Sequence, residues 1–182
     1  MKKILLFFIA MAVCQLGFTK DDPLLMLNFR EIYHSYASIM DVDAKDADLK
    51  IIYERTKANL PTLGLTTELS SPMVLAMTEL GGAFCGKAVE QERAKEFGER
   101  HLFKYIDFEH GPVQFQDFLK RRMTNHLAEL FWKRPATEME IQLISQHIDR
   151  LGETAPQATE ETPKVLHVLC TTFATSLGFV IK

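Results

Sequence analysis

The chain has 182 residues, 47% of them apolar and 25% charged, which is the composition of one globular domain with a short additional segment. Its 21 basic and 24 acidic side chains form no basic cluster along the sequence, so neither nucleic acid nor anionic lipid is expected as a partner. The length and the apolar content are sufficient for a buried core.

The N-terminus has the order of a secretory signal, in which a basic start is followed by an apolar run and then by small and polar residues. Lys2 and Lys3 precede an apolar run that reaches about Phe18, shorter than the roughly 18 to 20 residues that cross a bilayer. We therefore predict a signal peptide over 1–19, a helical domain over 20–182, and a periplasmic or extracellular location. A retained membrane anchor and a lipidated N-terminus are the alternatives, and the sequence does not fix the cleavage point.

Helices are predicted along the rest of the chain, because apolar side chains recur at steps of three and four after residues that favour helix starts. Asp22-Pro23 and Ser71-Pro72 each place a polar side chain before a first-turn proline. Asp46 can cap the helix that follows it. Thr137 and Glu140 have the spacing of a capping box. The charged run from Glu90 to Arg100 is most simply a solvated helix face. The helices so predicted cover 22–40, 46–60, 71–100, 102–106, 112–133, 137–151 and 163–182.

These patterns predict an all-α, single-domain bundle of six or seven helices. No segment alternates with period two between turn signals, so strands are not supported. The segment 154–162, with the sequence TAPQATEET, is linker-like. The stretch from Val165 to Ile181 is almost continuously apolar, but it contains His167 and several threonines and is short for a membrane span. We predict that it is a C-terminal helix buried at the centre of the bundle.

Two cysteines, Cys85 and Cys170, would remain after removal of the signal, and they would lie in an oxidising compartment. Closing a loop of about 85 residues with a disulfide stabilises a fold by roughly 4 kcal/mol on the chain-entropy estimate. We predict this bridge. The alternative is a pair of buried thiols that do not meet.

The stretch 81–88, GGAFCGKA, is close to a phosphate-binding loop, which has two glycines five apart and a lysine after the second. Ala88 stands where such loops carry the hydroxyl that binds magnesium, and the stretch continues a helical pattern instead of following a strand. Nucleotide binding is therefore not expected. Gly81, Gly82 and Gly86 are better explained as a small-residue face that lets another helix approach closely and brings Cys85 to its partner.

No sequence motif predicts a cofactor or a metal. The six histidines include no pair four apart with a glutamate between them, and neither Cys-x-x-Cys nor Gly-x-Ser-x-Gly is present. A secreted helical glycosidase would need one carboxylic acid in an apolar pocket and a second carboxylate near it. The candidates with apolar neighbours in the sequence are Glu79, Glu109 and Glu129.

Small-residue patterns occur at three places: Asn59-Leu60-Pro61-Thr62; Ser70-Ser71-Pro72 continuing through Ala76, Leu80 and Ala83 to Phe84-Cys85; and Leu169-Cys170 with Ser176. Together they resemble a helical region of large exported proteobacterial proteins, which often also carry lectin-like jelly-roll domains. The resemblance implies export, a helical fold and the cysteine pair, and it assigns no activity and no catalytic residue. A lectin-like domain is not recognised in these 182 residues, so no carbohydrate-related role is carried over.

The sequence thus favours an exported, non-enzymatic helical domain that acts through contacts with a protein partner. One alternative is a secreted hydrolase of cell-wall glycan with a helical fold. Another is a membrane-anchored helical protein. No catalytic, cofactor-binding or metal-binding residue is predicted, and the only site residues named are the two cysteines of the disulfide.

Overall fold

A computed structural model describes residues 24–25, 27–60, 65–66, 70–153 and 155–176. Within these residues the chain forms six α-helices and one antiparallel pair of two-residue strands. The all-α class is confirmed, whereas the prediction without strands missed this pair, which is too short for a period-two pattern to reveal. The predicted signal peptide, 1–19, lies outside the described residues. The elements are β1 (Leu24–Leu25), α1 (Phe29–Met40), α2 (Ala47–Thr56), β2 (Leu65–Thr66), α3 (Ser71–Ala94), α4 (Asp117–Trp132), α5 (Glu138–Gly152) and α6 (Glu161–Ala174), with 3-10 turns at Lys57–Asn59, Phe97–Glu99 and Pro112–Gln114.

Two helices begin at the side chains that the sequence indicates, because these side chains accept hydrogen bonds from the free amides of the first turn. The Asp46 carboxylate accepts from the amides of Asp48 and Leu49 at 3.0 and 3.1 Å at the start of α2. Thr137 and Glu140 form the predicted capping box of α5. Local sequence therefore determines both of these helix starts.

Helix α1 begins later than predicted. Asn28 caps it by accepting from the amides of Arg30 and Glu31, and the Glu31 carboxylate accepts from the Asn28 amide at 2.8 Å. Asp22-Pro23 lies outside the described residues, but residues 24–25 are in β1, so a helix cannot run continuously from Asp22-Pro23 to Met40. Strand pairing with β2 replaces the first turns of the predicted helix.

Helix α6 is the hub of the bundle and packs against α3, α4 and α5. Most of its side chains are buried. The hydroxyls of Thr171 and Thr172 donate to carbonyls one turn earlier, so they need no partner outside the helix. The buried C-terminal helix that the sequence predicts is therefore present and ends at Ala174. The rest of that prediction falls on 177–182, outside the described residues.

The connection between α3 and α4, called here the 95–116 segment, packs on the core without an α-helix. Glu92, in the last turn of α3, is only 1% exposed. Its carboxylate accepts from the backbone amides of residues 101–103 at 3.1, 2.9 and 3.1 Å, and it pairs with the Lys95 ammonium at 3.1 Å. Two predictions are therefore wrong: Glu92 is not on a solvated face, and 102–106 is a series of bends and turns instead of a helix.

The stretch predicted to be a linker, 154–162, is also packed where it is described. The Pro156 carbonyl accepts from the Val113 amide at 2.8 Å, and the Thr162 hydroxyl donates to the His110 carbonyl at 2.7 Å. A Cβ added at Gly111 would lie 2.5 Å from the backbone of residue 157. Only glycine at position 111 permits this close contact. The two hydrogen bonds hold the 155–162 stretch against the start of the 112–114 turn.

Candidate functional site

A disulfide joins Cys85 of α3 to Cys170 of α6, with 5.7 Å between their Cα atoms. These are the two cysteines that the sequence pairs. Both residues are completely buried, and the Met40 sulfur lies 3.9 Å from the Cys85 sulfur. Burial separates the bridge from thiol reagents in water, so the bridge is a structural cross-link of the core, unlike the exposed disulfides of redox enzymes.

Of the three glycines in the stretch GGAFCGKA, Gly81 has the least free space beside it. A Cβ added there would meet the Thr175 side chain at 3.2 Å and the Tyr36 hydroxyl oxygen at 3.3 Å, whereas a Cβ at Gly82 or Gly86 would have contacts of 3.8 Å or more. The small-residue interpretation is therefore right for one glycine of the three. The Tyr36 hydroxyl donates to the Ala174 carbonyl at 2.8 Å, and burial raises the pKa of this hydroxyl.

The stretch GGAFCGKA lies wholly inside α3, so it has no loop that could surround a phosphate. Lys87, the lysine of the apparent motif, pairs with Asp48 at 3.0 Å and Asp46 at 3.2 Å. Its hydrogen bonds to the Asp48 and Asp46 carboxylates raise the pKa of the Lys87 ammonium. The lysine ties α3 to the start of α2 and is not presented to a ligand.

The three carboxyl groups considered for a glycosidase are all exposed. Glu79 pairs with Arg55 across the α2 and α3 surfaces. Glu109 lies in the 95–116 segment and Glu129 on α4. None of the three has the apolar surroundings that a catalytic acid needs.

The buried charged side chains stabilise the fold. Glu140 is 3% exposed, completes the α5 capping box and accepts from the Arg134 guanidinium at 2.7 Å. Lys120 is 5% exposed and lies 2.7 Å from Asp149 and 3.1 Å from Asp117. Although burial opposes it, these two carboxylates raise the pKa of the Lys120 ammonium. Both residues are bound to groups of their own fold.

No group of three or more His, Cys, Asp or Glu side chains that could hold a metal ion occurs in the described part of the chain. His167 contacts the Gly82 carbonyl at 2.8 Å, and His110 contacts Asp107 at 2.8 Å. The other close pair, His101 and His126, has ring centres 6.4 Å apart. This pair lies beside a tyrosine, a lysine and an arginine that the sequence analysis did not connect.

One cleft on the described surface, called here the α1 cleft, has a volume of about 580 Å³. Its apolar side chains include Leu27 and Ile39, and its charged and polar ones include Arg30, His34 and Lys133. Lys133 follows α4 in a left-handed backbone conformation, with φ 58°. In the sequence, the only sign of this cleft is the spacing of its residues along α1. Lys133 belongs to another part of the chain, so the sequence does not connect it with them.

A second cleft, of about 270 Å³, lies between the 112–114 turn and the end of α5. Its lining is mainly apolar and includes Pro112, Ile148 and Pro156, with Asp149 and Glu153 at the side. Asp149 is already paired with Lys120. This cleft is smaller than the α1 cleft and offers fewer polar groups.

Comparison with known proteins gives no relative for this chain: no family model, curated protein or solved structure matches it. Among the described helices, none is both long and apolar enough to cross a membrane.

Proposed function

We propose that this chain is an exported, non-enzymatic helical domain that acts by binding another protein through the α1 cleft. The carrying observation is the make-up of that cleft, in which apolar side chains such as Leu27 and Ile39 lie among exposed polar ones. An apolar centre with a polar rim is the usual anatomy of a protein interface.

The charges around the α1 cleft favour an acidic partner surface. Arg30, His34 and Lys133 line it and are exposed. The carboxylate of Glu31, which also lines the cleft, accepts a hydrogen bond from the Asn28 amide in the α1 capping box. Complementary charge steers association and selects partners, so acidic side chains are expected on the partner.

The disulfide supports export. Cys85 and Cys170 are bonded in the core, and such bridges form and persist mainly in oxidising compartments. Together with the predicted signal over 1–19, the bridge favours a periplasmic or extracellular location. Fractionation of cells that express the full chain tests this proposal. Free thiols at both cysteines in material isolated from its native compartment would contradict it.

Site-specific photo-crosslinking tests the protein contact. A photoreactive side chain at Ser35 or Ser38, both of which line the α1 cleft, is expected to capture a discrete protein in the native host. The same group at Gln142, an exposed position on α5, is the matched control and is expected to capture nothing discrete.

Charge reversal sharpens the same experiment. Arg30→Glu together with Lys133→Glu is expected to abolish the cross-link from Ser38, because both changes repel an acidic partner. Lys50→Glu, at an exposed position on α2, changes the net charge of the chain away from the cleft and should leave the cross-link intact. Equal capture by the chain without charge reversal, the double variant and the Lys50→Glu variant would contradict the proposed site.

A further inference from the structure

Three side chains from two parts of the sequence meet at the surface of α4. The guanidinium carbon of Arg122 lies 4.1 Å from the centre of the Tyr105 ring, and the Lys104 ammonium lies 5.0 Å from the same ring centre. Lys104 and Tyr105 belong to the 95–116 segment, which is held in place by Glu92, while Arg122 belongs to α4. The Tyr105 ring therefore contacts both cations.

Two histidines extend this group. The His126 ring, one turn after Arg122, lies 5.7 Å from the Tyr105 ring and 6.4 Å from the His101 ring. The Nε2 atom of His126 is 2.9 Å from the His101 carbonyl, and a carbonyl only accepts, so Nε2 carries a proton. The Nδ1 atom then becomes a second donor when the ring is protonated.

The two basic residues just before Arg122 on α4 are both paired with carboxylates. Lys120 lies 2.7 Å from Asp149, and Arg121 makes two contacts with Glu138 at 2.5 and 2.7 Å. Arg122, the next residue, makes no ion pair with a carboxylate of the described chain, and neither does Lys104. In an acidic protein, two cations on one ring are thus not ion-paired with any carboxylate of the residues that the structure describes.

Like charges that are held close repel each other, and a bound anion relieves that repulsion. Stacking on Tyr105 fixes the plane of the Arg122 guanidinium, and a fixed fork of N–H donors suits the paired oxygens of a phosphate. The Lys104 ammonium adds a second charge. Although partial burial opposes it, the neighbouring Lys104 and Arg122 cations lower the pKa of the Tyr105 hydroxyl, and a more acidic hydroxyl is a better donor to an anion.

We propose that Lys104, Tyr105 and Arg122, with His126 and His101 beside them, form a binding site for a dianionic phosphate group. Two permanent cations match its two charges, and the Tyr105 hydroxyl supplies a donor for its remaining oxygen. The phosphate group can belong to a free phosphate ester or to a lipid headgroup. The site does not depend on the proposed α1 cleft, and either proposal can fail without the other.

The direct test is an NMR titration of the folded, oxidised chain with sodium phosphate, with sodium chloride holding the ionic strength constant. We expect saturable shifts of the Tyr105 and His126 ring signals. Arg122→Gln and Lys104→Gln should each weaken phosphate binding by about tenfold or more, because each removes a charge-assisted contact. Tyr105→Phe keeps the ring and removes only the hydroxyl, so a smaller weakening is expected.

Arg121→Gln is the matched control, because it changes the adjacent arginine of the same helix, whose charge is already paired with Glu138. It should bind phosphate as the unchanged chain does, and circular dichroism of every variant checks that the fold is retained. Equal weakening by Arg121→Gln and Arg122→Gln would overturn the site. So would the absence of a saturable response, or an equal response to chloride alone.

A second arm distinguishes the two sources of phosphate. Vesicles of phosphatidylcholine containing phosphatidic acid are compared with vesicles of phosphatidylcholine alone, each with and without glycerol phosphate as a soluble competitor. Binding of glycerol phosphate without vesicle binding assigns a free ester. Vesicle binding that needs phosphatidic acid and Arg122 assigns a headgroup. Failure of inorganic phosphate, glycerol phosphate and vesicles to bind overturns the proposal.

Discussion

The contact between α3 and α6 and the 95–116 segment stabilise the same molecule in different ways. Apolar packing and a covalent bond hold α3 against α6, and Gly81 permits their close approach. Polar side chains that bind the backbone hold the 95–116 segment. In addition to Glu92, Arg100 donates to the Ile106 carbonyl at 2.6 Å, and Gln114 donates to the Asp107 carbonyl at 2.7 Å.

This difference determines which substitutions destabilise each region. The stability that apolar packing provides falls in proportion to the apolar area removed. A small change in the α3–α6 contact is therefore tolerated, and the contact depends most on its cross-link. Removal of a buried carboxylate with several donors is strongly destabilising, because every donor is left without a partner. The predictions below separate these two kinds of stabilisation.

Removal of the disulfide should have the largest effect. Cys85→Ala together with Cys170→Ala opens a cross-link between residues 85 apart in sequence, and we expect the free energy of unfolding to fall by roughly 4 kcal/mol. Urea unfolding followed by circular dichroism measures this. The unchanged chain, refolded with its thiols reduced, is the control that keeps the side-chain volume. If it is as stable as the oxidised chain, the cross-link does not stabilise the bundle.

Glu92→Ala should come next, with a loss of about 3 kcal/mol, because three backbone amides and Lys95 lose a buried acceptor. Hydrogen exchange gives the sharper measurement. The amides of Leu102 and Phe103 should exchange much faster, while those of α6 remain protected. Glu90→Ala, at an exposed position two residues earlier, should change neither quantity. Uniform acceleration over the whole chain would show that the two regions do not unfold separately.

A pair of glycine substitutions sharpens the account of the α3–α6 contact. Gly86→Ala should raise the free energy of unfolding by up to about 1 kcal/mol, because the nearest atom to the added Cβ, in the His167 ring, is 3.8 Å away and alanine favours the helix. Gly81→Ala should not stabilise the fold, since Thr175 and Tyr36 would have to move. Thermal unfolding of both variants tests the comparison, and equal stabilisation would contradict the proposed close approach.

The smallest expected effect is a pH dependence that arises from His147 in α5. Its Nε2 atom is buried and has no hydrogen-bond partner among the described residues. Burial, with the charge of Arg150, lowers the pKa of the imidazole below the ordinary value of 6.5. The unfolded chain therefore binds a proton more readily, so stability should fall as the pH falls from 6.5 to the lowered pKa.

Replacement of this histidine isolates its contribution. The stability of His147→Gln should decrease less between pH 7 and pH 5 than that of the unchanged chain, while the difference between the two should be constant above pH 8. Urea unfolding at a series of pH values measures the difference. Parallel curves over the whole range would exclude His147 as a source of the dependence.

Sequence reasoning recovered the features that depend on neighbouring residues. The Asp46 cap, the Thr137 capping box and the passage of α3 through GGAFCGKA follow from local hydrogen bonding and helical spacing. The pairing of Cys85 with Cys170 followed from their number and the expected compartment. Each of these inferences needed no knowledge of the tertiary fold.

The remaining features depend on contacts between distant residues. Glu92 looks solvated in the sequence because it lies in a charged run, and only the fold brings residues 101–103 to its carboxylate. The start of α1 was missed because residues 24–25 pair with a strand about 40 positions away. The group around Tyr105 was invisible for the same reason, apart from the four-residue spacing of Arg122 and His126.

The position of the hub also affects how the chain reaches its fold. Helix α6 contacts α3 across a sequence separation of 85 residues at the cysteines, so the dominant contact of the bundle is of high contact order. Ribosomes release the chain from its N-terminus, and α3 therefore emerges well before the helix that covers it. Until then, the face of α3 that packs on α6 is uncovered. This interval is when the nascent protein is most prone to aggregate and most dependent on chaperones.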